Sequence, residues 1–406
     1  MEKWWNKAQK VGLVAIIALI PTQLGRHWWP EWSLVSGIPV DYLSPTLYLL
    51  DIVWLVWLVT RVAGGEIQKL KISKWWVVMA LVNILAAQNR WAAVEGWARW
   101  IEWWTVIGAV AANKEWVKKN LVRIIPLWIL IEAGLSLAQV VGGGSVGGVF
   151  WLLGERRFSL NSIGAALWSV EGAEWVRAAG TFSHPNSLAG FTLLVAGWWW
   201  TIKSNWGKTR IGRVVGWATI LGAGMIIVLS ASRTVWVLTV AGALMIGRQF
   251  GGWRQKVGMG LLGAGLVVVL LGVIGREYRL SSFVSGWDGA GVQKRIVLLE
   301  QAGKMIKTNP LLGIGLNNWF NEQAKSEVRN AGWRQPVHNV VALWWAETGL
   351  MGMLVAGWTL KNWIKNRGGR AWLVMIFIIG LTGMVDHYWL TLPQNRWLWG
   401  VILAIM

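Results

Sequence analysis

Apolar runs that approach the length of a membrane crossing set the terms for this chain. Residues 11–20, 122–141, 214–229 and 261–274 carry few or no charges, and about 20 apolar residues cross a bilayer as a helix. Lipid offers no partner for backbone N–H and C=O groups, so a crossing segment must satisfy them internally. The chain is 55% hydrophobic and 14% charged, with a mean hydropathy of +0.46. These features predict an all-α polytopic integral membrane protein of about 12 transmembrane helices. The expected segments are 11–25, 43–60, 75–89, 91–112, 123–141, 186–202, 214–230, 233–247, 257–275, 339–360, 371–386 and 395–406. A large helical extracytoplasmic loop should cap the outer face.

A net charge of +20 could suggest nucleic acid until the charges are located. With a cytoplasmic N-terminus, the loops on that side are 1–10, 61–74, 113–123, 203–213, 248–256 and 361–370. They hold 22 Lys and Arg against only Glu2, Glu66 and Glu115. That is the positive-inside pattern, so the charge encodes topology, both termini are expected in the cytoplasm, and nucleic-acid binding loses its support. The run 11–20 after a basic start resembles a signal peptide, but no small-residue cleavage site follows, so a retained first helix is expected. Cysteine is absent, which removes disulfides and thiolate metal sites from consideration. His27, His184, His338 and His387 lie far apart and show no metalloprotease spacing. No metal and no cofactor is expected.

The stretch 336–352, PVHNVVALWWAETGLMG, puts His338 and Asn339 at the mouth of an apolar segment that runs on without a break. An imidazole, with an ordinary pKa of about 6.5, can accept and return a proton near neutrality. Proton abstraction from a hydroxyl is one role for it, and a backbone-bonded residue at a helix end is the other. Arg177, Thr181, His184 and Asn186 cluster where the sixth segment enters the membrane. Arg233 sits in an outer turn with almost no loop to hold it in water. A guanidinium there needs a carboxylate, a carbonyl or a bound anion. Glu95, Arg99 and Glu102 share one helical face, which predicts an ion-paired stripe turned into the bundle.

Between 276 and 337 lies the longest outer loop. Its apolar residues recur at helical spacing over 293–307, Thr308, Asn309 and Pro310 end that helix, a tight turn follows at 311–315, and a second short helix is expected near 319–328. Asp386 beside His387 in the last outer turn could orient a catalytic group or anchor the turn at the headgroups. The 37 tryptophans exceed what interfacial belts explain.

Together these residues resemble the O-antigen ligase and O-antigen polymerase family of membrane glycosyltransferases. His338 and Asn339, nine residues, then Gly349 and Gly352 look like that family's H-[NSQ]-x9-G-x-x-G element. Arg295 followed by Leu299 resembles the R-x3-L element that opens the large periplasmic loop of the ligases. NPLLGIG at 309–315, Ser-Arg-Thr at 232–234 and TFSHPN at 181–186 are similar to recurrent family segments. Val237 stands where a second R-x3-L would need leucine. The likeness spans roughly 170–395, and the first 140 residues carry no motif.

The resemblance implies transfer of a glycan from a polyprenyl (undecaprenyl) pyrophosphate to an acceptor hydroxyl at the outer leaflet of a bacterial or archaeal cytoplasmic membrane, without metal or nucleotide sugar. Arg295, Arg233 and Arg177 are then expected to hold the pyrophosphate, because a planar guanidinium binds phosphate oxygens in pairs. His338 is the expected base, with Asn339, Asp386 and His387 supporting it, and a single displacement would invert the anomeric centre. The partners would be the lipid-linked donor, a glycan, lipid or protein acceptor, and the bilayer. The expected organisation is N-terminal helices over 1–141, central helices with an outer loop at 142–185 over 142–275, the large loop over 276–337, and C-terminal helices over 338–406. A polymerase of the same family, or a transporter or flippase for polyprenyl-linked or anionic substrates, are the alternatives.

Overall fold

The computed structural model describes residues 2–65, 72–162, 164–170, 173–201, 209–247, 290–325, 334–366 and 370–406. Helices occupy eleven of the twelve expected segments, and the ninth, 257–275, lies outside the described residues. Among the described residues, Lys114–Gly142, Arg210–Leu229 and Val340–Lys365 are long and apolar enough to cross a membrane, and Lys74–Ala86 and Trp372–Gly383 are shorter apolar helices.

The protein is mostly helical, and among the described residues three two-stranded antiparallel sheets accompany the helices. Strand β1 (Gly25–His27) pairs with β4 (Thr46–Tyr48) and β2 (Leu34–Val35) with β3 (Ile38–Pro39), while β5 (Leu167–Val170) pairs with β6 (Ala173–Val176). The first pairing also moves two helix boundaries. Helix α1 (Glu2–Ala18) stops before Pro21, whose ring disfavours helix in the preceding residue and supplies no N–H. Helix α2 (Leu49–Ala63) starts after β4, where the Asp51 carboxylate accepts the Tyr48 N–H at 2.8 Å and sits favourably at a helix N-terminus.

The chain divides into two compact units. The first comprises Met1–Leu121, Arg295–Trp372 and Gly383–Met406. It contains α1, α2, α3 (Lys74–Ala86) and α4 (Arg90–Ala112). Asn89 caps α4 by accepting the Ala92 N–H at 3.1 Å. The expected stripe on α4 is ion-paired: Arg99 meets Glu95 at 2.9 Å and Glu102 at 3.2 Å, and adds Asp51 of α2 at 2.6 Å. Arg99 also donates to the Thr46 carbonyl.

Tryptophan builds much of this unit. Trp76, Trp97, Trp100, Trp103, Trp104, Trp344, Trp363 and Trp399 form one continuous set of ring contacts with centroids 4.7–6.5 Å apart. Such rings supply large dispersion area in preferred edge and tilted geometries. Three of the buried indole N–H groups find acceptors here, Trp97 on Asn83 at 2.9 Å, Trp76 on Thr359 at 3.0 Å and Trp103 on the Arg396 carbonyl at 2.8 Å. Part of the tryptophan excess is therefore interior packing rather than an interfacial belt.

The expected amphipathic helix of the long loop is present as Ala290–Thr308. Leu298, Ala302 and Met305, at i, i+4 and i+7, are buried. They join Val35 and Leu43 from the N-terminal hairpins, Trp319 and Phe320 from the short helix Trp319–Gln323, and Val337, Leu343 and Ala346 in one apolar core.

The second unit comprises Val122–Lys294 and Leu373–Thr382. It holds most of α5 (Lys114–Gly142), then α6 (Val149–Leu152), α7 (Pro185–Thr201), α8 (Arg210–Leu229) and α9 (Arg233–Gly247). Polar side chains of α5 hold the segment before α7. Glu132 accepts the Thr181 N–H at 3.0 Å and hydroxyl at 2.5 Å, and Gln139 binds the Ala179 N–H and both backbone groups of Gly180. Gly180 has φ 58°, and a side chain there would run into the Glu132 carboxylate.

Candidate functional site

The helix Val340–Asn366 is not the unbroken segment expected from its apolar sequence. Gly349 interrupts it with φ 65° and ψ −169°, a conformation nearly confined to glycine. The break exposes backbone groups, and the 310–315 chain satisfies them. Ile314 N–H donates to the Ala346 carbonyl at 2.9 Å and Gly315 N–H to Glu347 at 3.0 Å. In return Leu350 N–H donates to Pro310 at 2.8 Å and Met351 N–H to Leu311 at 3.1 Å.

Two backbones meet so closely that neither side tolerates a Cβ. On Gly313 it would strike the backbone of Glu347 and Thr348, and on Gly349 that of Leu311 and Gly313. Irregular backbone at membrane depth persists only where protein buries and pairs it, and the NPLLGIG segment does this.

Asn83 of α3 completes the lock. Its amide donates to the Leu312 and Glu347 carbonyls and its oxygen accepts from Leu316 N–H and Trp97 Nε1–H, all at 2.9 Å. Glu347, 2% exposed, accepts the Trp319 N–H and the Tyr42 hydroxyl, each at 3.2 Å. Burial, reinforced by the facing Glu347, holds the Tyr42 phenol well above its ordinary pKa, so it remains a donor.

His338 stands just ahead of the broken helix, and Asn339 explains the pairing of these two residue types. The Asn339 side-chain oxygen caps the helix by accepting the Ala342 N–H at 2.9 Å, while its amide donates to the Met384 carbonyl at 3.3 Å. Gly383 lets that turn approach, since a Cβ there would lie 3.2 Å from Val340. The tether brings Asp386 to His338, with Oδ1 3.5 Å from Nδ1. Asp386 is 7% exposed and its Oδ1 also accepts the His387 N–H at 2.8 Å. The imidazoles of His338 and His387 lie 5.2 Å apart. Gln335, exposed, places Oε1 3.2 Å from His338 Nε2.

Sequence spacing argued against a metal site, yet the fold brings distant residues together. His338, Asp386 and His387 offer ligand atoms that all lie within 4.8 Å of one another. Helix packing, not a sequence motif, creates this cluster.

The arginines are placed differently. Arg295 is exposed on Ala290–Thr308, and Leu299, which completes its motif, is exposed as well. In the second unit Arg177 donates from Nη2 to Asn186 Oδ1 at 2.6 Å and from Nε to the Ser230 carbonyl at 2.8 Å. Arg233, the first residue of α9, is exposed. The residues that sequence reasoning missed are Gln335, Asn83 and Thr391. Gln335 had one signal, its position three residues before the histidine.

A protein-family model described as O-antigen ligase matches residues 217–357. That stretch includes Arg233, Arg295, His338, Asn339, Gly349 and Gly352, and leaves Arg177, Asp386 and His387 outside. No curated protein matches the chain. The matched stretch covers about a third of the chain, and over that stretch the chain is similar to O-antigen ligases.

Proposed function

We propose that this O-antigen ligase-like chain is an inverting glycosyltransferase of the cytoplasmic membrane, with twelve crossings and both termini inside. It moves a glycan from a polyprenyl pyrophosphate to an acceptor hydroxyl on the outer side. The observation that carries the reading is the His338 and Asp386 pair at the mouth of the broken helix, 3.5 Å from Nδ1 to Oδ1.

In this reading Asp386 keeps a proton on Nδ1, and Nε2, the nitrogen on the side of exposed Gln335, takes the proton of the acceptor hydroxyl. The Gln335 carboxamide occupies the place of that hydroxyl in the free protein. As the oxygen attacks the anomeric carbon, the bond to the pyrophosphate breaks and charge grows on the leaving group. Arg295, Arg233 and Arg177 stabilise that charge, the twelve-segment topology assigning all three to the outer side. General-base catalysis of this kind contributes roughly 10²–10⁴-fold. No step in the reading calls on a metal or cofactor.

A polymerase shares every element of this mechanism and differs only in the acceptor. The flippase reading draws on one observation, the broken helix, since transporters place substrates at such breaks. Here the 310–315 backbone already pairs the Ala346 and Glu347 carbonyls and the Leu350 and Met351 N–H groups at the break, so these four are taken by protein.

The test uses membranes containing wild-type protein or His338→Ala, a labelled polyprenyl-pyrophosphate oligosaccharide, several acceptors and a chelator. Transfer in chelator that falls roughly 10²–10⁴-fold in the variant is expected. Undiminished transfer by His338→Ala overturns the assignment of the base, and translocation of the lipid without transfer replaces the enzyme reading with the flippase.

A further inference from the structure

We infer that His338, Asp386 and His387 form a binding site for one divalent transition-metal ion of the Zn²⁺ class, and that the ion arrests transfer. The arrest rests on His338 being the base, whereas the site itself does not. Two imidazoles and a carboxylate are a donor set typical of zinc and of other borderline divalent ions. The three ligand atoms lie within 4.8 Å of one another, against roughly 3.3 Å between ligands about 2.05 Å from a tetrahedral ion. Side-chain rotation closes the difference.

A second observation points to a ligand. His338 Nδ1 is buried and has no hydrogen-bond partner. Gln335 Oε1 lies 3.2 Å from Nε2, where it can accept that nitrogen's proton in the tautomer that leaves the Nδ1 lone pair for an ion. In the other imidazole, His387 Nδ1 lies 2.8 Å from the Thr391 hydroxyl oxygen, which can accept its proton while the hydroxyl donates to the His387 carbonyl at 3.2 Å. Ligating histidines characteristically donate their second nitrogen's proton to an oxygen in this manner. Asp386 supplies the negative charge for the cation.

Metal and catalysis require opposite tautomers of one ring. Transfer needs Nδ1–H facing Asp386 and a bare Nε2. An ion on the Nδ1 lone pair leaves the proton on Nε2, and neither nitrogen can then accept the proton of the acceptor hydroxyl.

Tag-free wild-type protein in detergent is titrated with Zn²⁺ by calorimetry and with Co²⁺ by visible absorption, beside Thr391→Val and His387→Gln. Size-exclusion and thermal unfolding profiles report that each variant is folded. One equivalent should bind wild type. Thr391→Val should weaken it roughly 10–100-fold and His387→Gln by at least that. Transfer, assayed in chelator and then with Zn²⁺ added, should fall about tenfold or more as the calorimetric site fills, and Thr391→Val should shift that fall to higher Zn²⁺. Absence of a saturable site in wild type, or equal affinity in both folded variants, overturns the metal site. A filled site with undiminished transfer overturns the arrest. Saturable binding by a protein that transfers nothing in chelator overturns the functional reading and leaves the metal site standing.

Discussion

Gly349→Ala tests the account of the broken helix, because the same helix carries its own control. At Gly349 φ is 65° and ψ −169°, and holding a side chain in such a region costs roughly 1–3 kcal/mol. The added Cβ also strikes the Leu311 and Gly313 backbone, so the 310–315 chain must withdraw. Four backbone hydrogen bonds cross that junction. Losing two of them at about 0.5–1.5 kcal/mol each brings the total to roughly 2–6 kcal/mol. Gly357, eight residues on, has open space around its Cβ position. Alanine there should be neutral or stabilising by up to about 1 kcal/mol, through helix propensity alone. Thermal unfolding of both variants in detergent, with limited proteolysis of the 309–315 segment, provides the assay. Gly349→Ala should unfold at lower temperature and expose that segment to protease, and Gly357→Ala should match wild type. Equal behaviour of the two variants refutes the junction.

Three further outcomes follow from the same packing. Asp386→Asn should lower transfer on the order of 10²-fold while retaining donor binding, measured by steady-state kinetics with kcat and KM resolved. Asn83→Ala strands Leu316 N–H, Trp97 Nε1–H and two carbonyls, and should destabilise by about 2–4 kcal/mol in a denaturant or thermal series. Arg99→Leu leaves Asp51, Glu95 and Glu102 facing one another. A loss of about 3–5 kcal/mol at neutral pH is expected, partly recovered under acid conditions that protonate the carboxylates, and the same unfolding assay at two pH values reads it.

Much of the helical layout was legible because it depends on local apolar length and spacing. The 293–307 pattern placed Leu298, Ala302 and Met305 on one face, and that face is the buried one. The ion-paired stripe on α4 followed from i, i+3 and i+4 geometry alone. The small sheets did not follow, since β1 and β4 are three residues each and pair across the 18 residues of 28–45. Strands that short have no period to read.

The site was legible as types and not as contacts. His338 and Asn339 announced themselves by standing at a helix mouth, but the reason for asparagine lies 45 residues away at the Met384 carbonyl. Gly349 read as part of a spacing, and only the facing backbone shows why both positions are glycine: a Cβ on Gly349 would strike Leu311 and Gly313, and one on Gly313 would strike Glu347 and Thr348. The same logic applies to Asp386. Its neighbour in sequence suggested a local pair with His387, whereas the Asn339 tether turns its carboxylate toward His338 as well. A residue whose partner is set by such a tether is invisible to periodicity. The broken helix with its capped mouth is thus one device: the glycine junction fixes where the helix ends, the asparagine fixes what meets that end, and the imidazole inherits a carboxylate from both.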